Sequence, residues 1–382
     1  MKLLFLTPHL STSGMPQFLL KRIEAIKQYT PDIEVFVYEW EQTTVNYTVQ
    51  RDKIVELVGK NFFSCGYVQD GNPDGRAENQ NNIINYCYKN KIDIIHTEDI
   101  VEYFVDRDYN PNKNLLKQIY DSRHPWKIVE TPHDHNKWVY KTSKYYKPDG
   151  YAFVIDHKHD HGSELSTVIE YPIDNSIICS ESRDEILSSD GWRTTGEYHI
   201  VNVGLWQPDK NQKYAIELAR KCWEKYGWTY IFHFVGNQAP NFKHYWEPLM
   251  KNLPPNVKIH GEKNTKEVSK FYKMSDLLLF PSDDECSPLV LKEGISNNMK
   301  ILAFNLEHYG DVYIKYIEAL NNNINDDFEL LLDTIHSPRK YDINLNQSKL
   351  NIKEFANAHK EFYKQILTSL ILSFNILVFS SL

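Results

Sequence analysis

Cysteine is scarce in this chain and poorly placed for cross-linking. The five cysteines, Cys65, Cys87, Cys179, Cys222 and Cys286, are odd in number, widely scattered and never spaced as CxxC. That pattern argues against a disulfide framework and predicts reduced thiols in a cytoplasmic protein. Positive charge is not in excess either. The net charge is −8, which argues against a broad nucleic-acid surface while leaving room for a local basic pocket. No secretory leader is expected: Lys2 runs straight into LLFLTP, too short for an h-region and readable as a first strand. Without such a leader, the glycosylation patterns at Asn46 and Asn346 read as chance matches. No short-period repeat is visible, and low complexity is confined to asparagine runs such as Asn321–Asn323. One charge-free run closes the chain, from Ile366 to Leu382. A membrane span needs roughly 20 apolar residues, and this run is borderline and diluted by Ser, Thr and Asn. Its length does not separate a helix end packed on the protein from a tail that touches a membrane.

What remains is an ordinary globular composition, 41% hydrophobic and 25% charged over 382 residues, enough for two domains each with a core. Strand-like and helix-like runs alternate throughout, which predicts α/β domains with parallel sheets and crossover helices. In the first half the strands are Lys2–Pro8, Glu34–Trp40, Asp93–Glu98, Lys127–Thr131 and Tyr151–Ile155. Helices are expected at Pro16–Gln28, whose Phe18, Leu19, Leu20, Ile23 and Ile26 form one stripe, and at Ala77–Asn90 and Asn112–Tyr120. A second series brings strands His199–Gly204, Thr229–Val235, Val257–His260, Asp276–Pro281 and Lys300–Phe304. Its helices are Lys210–Tyr226, Asn241–Asn252, Thr265–Met274 and Pro288–Asn298. The expected division is a first domain over 1–180, a polar linker over 181–197 and a second domain over 198–345. A helix over 346–366 then packs back on the molecule, and an apolar tail covers 367–382. Two doubly wound, Rossmann-like domains facing across a cleft would place ligands beyond the carboxyl ends of their strands.

The richest constellation lies in the second series. The strand DLLLFPS leads into Asp283-Asp284-Glu285, and Pro288 suits the first turn of a helix that carries Glu293. Backbone N–H groups of Ser287, Leu289 and Val290 would then point outward, a geometry that binds phosphate. Glu293 would accept hydrogen bonds from ribose hydroxyls, as acidic residues do in dinucleotide sites. The competing reading is a pair of solvated glutamates beside an ordinary helix start. Two neighbours weigh against it. Lys210 sits at a strand-to-helix turn, where it can meet a diphosphate as a point charge. Gly236-Asn237 ends another strand, where glycine lets backbone approach a ligand closely.

The segments VGLWQPDKNQ, FVGN, VKIHG and FYKMSDLLLFPSDDECSPLVLKEGISNNMKILA together resemble the donor domain of family 4 retaining glycosyltransferases, over roughly residues 199–305 and only loosely before that. The resemblance implies a GT-B fold and transfer of a sugar, with retention, from a nucleotide-diphosphate sugar to a glycan, lipid or small-molecule acceptor. It implies that Lys210 binds the donor diphosphate, that Glu285 lies by the transferred sugar, and that Ser287, Pro288 and Leu289 wrap the phosphates. Glu293 would hold the ribose, and Gly14 would correspond to the family's glycine loop. No metal or other cofactor is implied. This chain departs from the pattern at Leu205, where an arginine is usual, and at Asn211, where a glycine is usual. It departs again at Asn298-Met299-Lys300 in place of Gly-x-Pro, and at Cys286-Ser287 in place of Gly-Phe.

In the first half, the strand KIVE ends in Thr131-Pro132-His133-Asp134-His135. A histidine at a strand's carboxyl end can bond a sugar hydroxyl or shuttle a proton, which nominates His133 with Asp134 as its orienter. Asp134 would serve equally well as a helix cap. A second cluster, His157, His159 and His161, reads as a metal site or as a solvated, acceptor-binding loop. Three functions follow: a glycosyltransferase, a degenerate nucleotide- or glycan-binding protein favoured by Leu205, and a metal-dependent hydrolase using the His133–His161 region.

Overall fold

The strand-forming runs are those with apolar residues on both faces, as a parallel sheet covered by helices requires. In the computed structural model, β1 (Lys2–Thr7) buries every residue from Leu3 to Thr7. The structure describes residues 1–11, 13–40, 48–64, 82–99, 118–133, 147–155, 165–172, 179–193, 195–306, 316–338 and 351–379, with side chains described as far as residue 369. Asp134, the 156–164 histidine segment, Asn46 and Asn346 fall outside those residues, as does most of the helix expected at Asn112–Tyr120. The chain forms two units: Met1–Pro172 with Lys349–Leu382, and Ile173–Ser348.

The first unit is a seven-stranded sheet in the order β3-β2-β1-β4-β5-β6-β7, parallel throughout. Its other strands are β2 (Glu34–Glu39), β3 (Phe62–Ser64), β4 (Ile94–Glu98), β5 (Lys127–Thr131), β6 (Gly150–Phe153) and β7 (Ser166–Val168). Helices α1 (Gly14–Tyr29), α2 (Val49–Val58) and α3 (Asn82–Asn90) connect them. Leu4, Leu6, Phe36, Tyr38, Ile95 and Ile128 form one core cluster with Ile83 and Cys87 of α3.

The long C-terminal helix, α10 (Ile352–Phe379), belongs to this unit. It buries Phe355, Ala356, His359, Phe362, Tyr363 and Ile366, a stripe at helical spacing, and Phe355 meets Phe18 of α1 edge-on at 5.7 Å. A Cβ on Gly150 would lie 2.5 Å from Ile366 Cδ1, so glycine lets α10 close onto the start of β6. The helix runs on past Ile366 into the apolar stretch. Among the described residues no helix is long and apolar enough to cross a membrane.

The second unit is a six-stranded parallel sheet, β10-β9-β8-β11-β12-β13. Its strands are β8 (Tyr198–Val203), β9 (Tyr230–Val235), β10 (Val257–Gly261), β11 (Leu277–Phe280), β12 (Lys300–Phe304) and β13 (Glu318–Leu320). Its helices are α4 (Arg183–Ser189), α5 (Gln212–Tyr226), α6 (Lys243–Met250), α7 (Thr265–Met274), α8 (Leu289–Ser296) and α9 (Ile324–His336). Counted within the unit, the order is the doubly wound one, with the reversal between β8 and β11. Trp206, Phe232, Phe234, Leu279 and Leu302 fill one face with Ala215, Leu218 and Cys222 of α5. Val201, Val235, Leu278 and Ile301 fill the other with Phe271, Met274 and Leu291.

The polar stretch expected to be a linker instead starts the second unit as α4. Ser182 and Glu185 make a reciprocal capping box, Ile186 and Leu187 are buried, and Arg183 grips Asp276 with two bonds of 2.7 Å. The asparagine run at 321–323 is also structural: Asn323 caps α9 and Asn322 takes a left-handed φ of 59°. Strands β3, β7 and β13, unforeseen in the sequence, have three residues each, too few for a period to show.

Candidate functional site

At the sheet reversal of the second unit, three strand ends converge. After β8 the chain turns through Gly204 and Leu205 to Trp206, which is buried against Phe234. The Trp206 N–H donates to the Asn237 carbonyl at 2.9 Å, joining the β8 and β9 turns. Gly236 has a reason of its own to be glycine. A Cβ there would lie 1.8 Å from the Gly204 carbonyl oxygen. The close approach foreseen for a ligand is therefore made by backbone to backbone.

Pro208–Lys210 form a single 3-10 turn, so α5 begins at Gln212 and not at Lys210. Asn211 breaks the two apart in the left-handed conformation, φ 49° and ψ 41°. This position carries glycine in the resembled family. Asparagine is among the few residues that accept that region readily, so the departure preserves the turn. Asn298 repeats the solution after α8, with φ 53°.

The β11 turn is laced to the β8 turn. The Asp283 N–H donates to the Asp209 carbonyl at 2.8 Å, and Asn211 Nδ2 donates to Asp283 Oδ1 at 3.3 Å. Burial, together with the neighbouring Asp209 charge, pushes the Asp283 carboxyl upward. Lys210 Nζ forms an ion pair with Glu285 Oε1, both half-buried. Cys286 is buried, and Pro288 caps α8 one residue before its first turn, with no side-chain cap. The first N–H groups of α8, from Leu289 on, are thus left without an intrahelical acceptor. Gly294 lets α8 settle on β11, since a Cβ would lie 2.5 Å from Leu278 Cδ2. Glu293 is half-buried and its Oε2 accepts from the Tyr272 hydroxyl of α7 at 2.7 Å. Asn237 Oδ1, Ser282 Oγ and Ser287 Oγ are buried with no hydrogen-bond partner among the described residues. Such groups are rare in folded proteins and call for a partner.

The first unit holds the remaining candidates. Gly14 opens α1 and is exposed, and a Cβ there would meet nothing within 4 Å. Nothing within the described chain demands glycine at that point. His133 follows β5, and its Nε2 lies 2.7 Å from Glu98 Oε2 at the end of β4. The orienting contact among described residues is therefore with Glu98. Glu98 is fully buried and is also ion-paired with Arg22 of α1. Arg22 reaches Thr131 Oγ1 at 3.3 Å and lies over Phe18 at 4.7 Å from the ring centroid. Neither Glu98, Arg22 nor Tyr272 was nominated from sequence. Arg22 carried a signal, because it sits among the apolar residues of the α1 stripe, and a charge so placed is buried only when paired.

Residues 184–332 match the family model for glycosyl transferases group 1. No curated protein sequence matches the chain. Among solved structures, sucrose-phosphate synthase from Thermosynechococcus elongatus is 11% identical with a TM-score of 0.65, covering 100% of both chains. A glycosyltransferase from Rickettsia africae is 15% identical with a TM-score of 0.66, covering 96% of this chain and 98% of its own. The HepE protein of Anabaena, solved with UDP and glucose, is 14% identical with a TM-score of 0.67, covering 95% and 99%. At such identities the structures speak for the fold alone. The match over 184–332 spans every strand end of the β8–β11 reversal, so the second unit is similar to the group 1 glycosyl transferases, and the solved structures share the two-sheet fold of the whole chain.

Proposed function

We propose that the enzyme takes a nucleotide-diphosphate sugar on its second unit and transfers the sugar, with retention, to a carbohydrate, lipid-linked or small-molecule acceptor. The observation that carries the reading is the Lys210–Glu285 pair at the sheet reversal, the place where doubly wound sheets bind nucleotides. The diphosphate replaces Glu285 as the partner of Lys210. Its oxygens accept from the open N–H groups of Ser287 and Leu289, with Pro288 setting the helix start. Glu293, held by Tyr272, accepts from the ribose. Glu285, released from Lys210, lies by the transferred sugar. As the glycosidic bond breaks, charge gathers on the leaving diphosphate, and Lys210 with the amino end of α8 stabilises it. Gly14 and His133 belong to the sugar and acceptor side. The unpartnered Asn237, Ser282 and Ser287 oxygens support a polar ligand here.

UDP is the first nucleotide to try, because the HepE protein was solved with UDP-glucose as well. The test is thermal unfolding with a panel of nucleotide sugars, since a ligand bound only by the folded state raises the melting point. Stabilisation by one UDP- or other nucleotide sugar, lost in Lys210→Ala, is the expected result. No stabilisation by any of them sinks the reading. Cation work is assigned to Lys210 and a helix end, so EDTA is expected to leave transfer intact. The protein is read as cytoplasmic, with any membrane contact made through the 367–382 tail.

A further inference from the structure

We propose that Glu98 is a positioning residue that fixes the tautomer of His133, so that this histidine meets a sugar hydroxyl as an acceptor of hydrogen. The proposal rests on the reading of His133 as a residue of the sugar side.

Glu98 Oε2 lies 2.7 Å from His133 Nε2, and a carboxylate oxygen can only accept. The ring hydrogen therefore sits on Nε2. In the neutral form of the ring, which has one N–H, Nδ1 is then the lone-pair nitrogen. Glu98 itself has no freedom to turn. Its side chain is fully buried, and its other oxygen is paired with Arg22, whose side chain is 1% exposed. Arg22 is held in turn by Thr131 Oγ1, which also lies 2.6 Å from His96 Nε2. The backbone repeats the arrangement. The His133 N–H donates to Asp99 Oδ1 at 2.8 Å, and the Asp99 N–H donates to the Thr131 carbonyl at 2.8 Å. Asp99 takes a left-handed φ of 65°, which turns the β4 end toward β5. Phe18 closes one side of the ring, edge-on at 5.4 Å. Ring and backbone of His133 are thus both set by the turn that ends β4. Nδ1 has no partner among the described residues.

The experiment uses the full chain with isotope-labelled histidine, assigning the His133 ring nitrogens by their loss in His133→Gln. In the native protein the NMR shifts are expected to show hydrogen on Nε2 and a lone pair on Nδ1. Removing Glu98 alone strands the buried Arg22 charge, so the variant to compare is Arg22→Met with Glu98→Leu, which replaces both by apolar groups. In it the His133 signals are expected to average between tautomers. Turnover of the nucleotide sugar falls about tenfold in kcat, the worth of one oriented hydrogen bond, with the donor KM little changed. Hydrogen on Nδ1 in the native protein overturns the proposal even if the variant does not fold. So does an unaltered Nε2–H tautomer, or unaltered kcat, in the folded variant. A protein that binds no nucleotide sugar sinks the functional reading instead, and the ring-nitrogen shifts still decide the tautomer.

Discussion

Lys210 Nζ is ion-paired with Glu285 Oε1, and this pair bridges the turns that follow β8 and β11. Its two members therefore make opposite predictions. Lys210→Ala removes the cation proposed to meet the diphosphate, and kcat/KM is expected to fall by ~10²–10³, the usual loss when one charge-stabilising group is deleted. Glu285→Gln releases the lysine. UDP binding by calorimetry is then expected to tighten about fivefold, the scale of a partly exposed ion pair, while sugar transfer falls. If both substitutions weaken UDP binding, Glu285 does not compete with the diphosphate.

Leu205 stands where the resembled family carries arginine, beside the turn that ends at Lys210. Asp209, Asp283, Asp284 and Glu285 lie in the same two turns, so cationic charge there is sparse. Leu205→Arg is expected to lower the UDP Kd about tenfold, in line with one added charge-assisted hydrogen bond. Titration of the variant and native proteins with UDP at fixed salt checks it.

Three imidazoles form a chain through the second unit: His199 Nδ1 to His233 Nε2 at 3.0 Å and His233 Nδ1 to His260 Nε2 at 2.9 Å. Burial lowers all three pKa values, that of His260 to about 4. Lys258 and Lys263 push His260 the same way, whereas Asp190 opposes. Around His199, Asp276 and Glu197 oppose the lowering and Arg183 assists it. Unfolded histidine takes its proton near 6.5. Between that value and about 4 the unfolded chain binds more protons than the folded one, so stability falls as the pH falls. Above about 6.5 this contribution is fully present. Melting temperatures from pH 7.5 to pH 4.5 are expected to decline, and less steeply in His233→Gln, whose amide can still bond both neighbours. An unchanged slope in that variant assigns the acid sensitivity elsewhere.

The two closely packed glycines of the second unit differ in what an added methyl meets. Gly236→Ala sets Cβ 1.8 Å from the Gly204 carbonyl oxygen, backbone against backbone. A loss of ~3 kcal/mol or more is expected, among the large effects reserved for forced main-chain movement. Gly294→Ala meets a leucine methyl that can change rotamer, and ~1–2 kcal/mol is expected, as for mild overpacking. Urea denaturation of each variant measures the difference.

Much of this could be read from sequence because it depends on local pattern. Apolar runs buried on both faces announce parallel strands, and runs such as LLLF and KILAF hold to their predicted places in β11 and β12. Lys210, Glu285 and Glu293 could be nominated because a strand end followed by a helix start is a geometry that suits phosphate, and the structure brings Lys210 and Glu285 together there. Elements of three residues and polar helices escaped, since neither displays a period: α4 was hidden in a stretch that looks like a linker until its capping box and the Arg183–Asp276 bridge are seen.

The chain's order of apolar and polar residues was thus sufficient, alone, to determine a doubly wound protein whose second half carries strand-to-helix turns at its sheet reversal. Which side chains meet was settled only in three dimensions. Glu98 and His133 stand 35 positions apart and Lys210 and Glu285 stand 75, and neither separation leaves any trace in a local pattern. Parallel strands explain why. Each crossover carries the chain away and returns it beside an earlier strand, so residues at neighbouring strand ends become partners through the strand order of the sheet and not through their spacing along the chain.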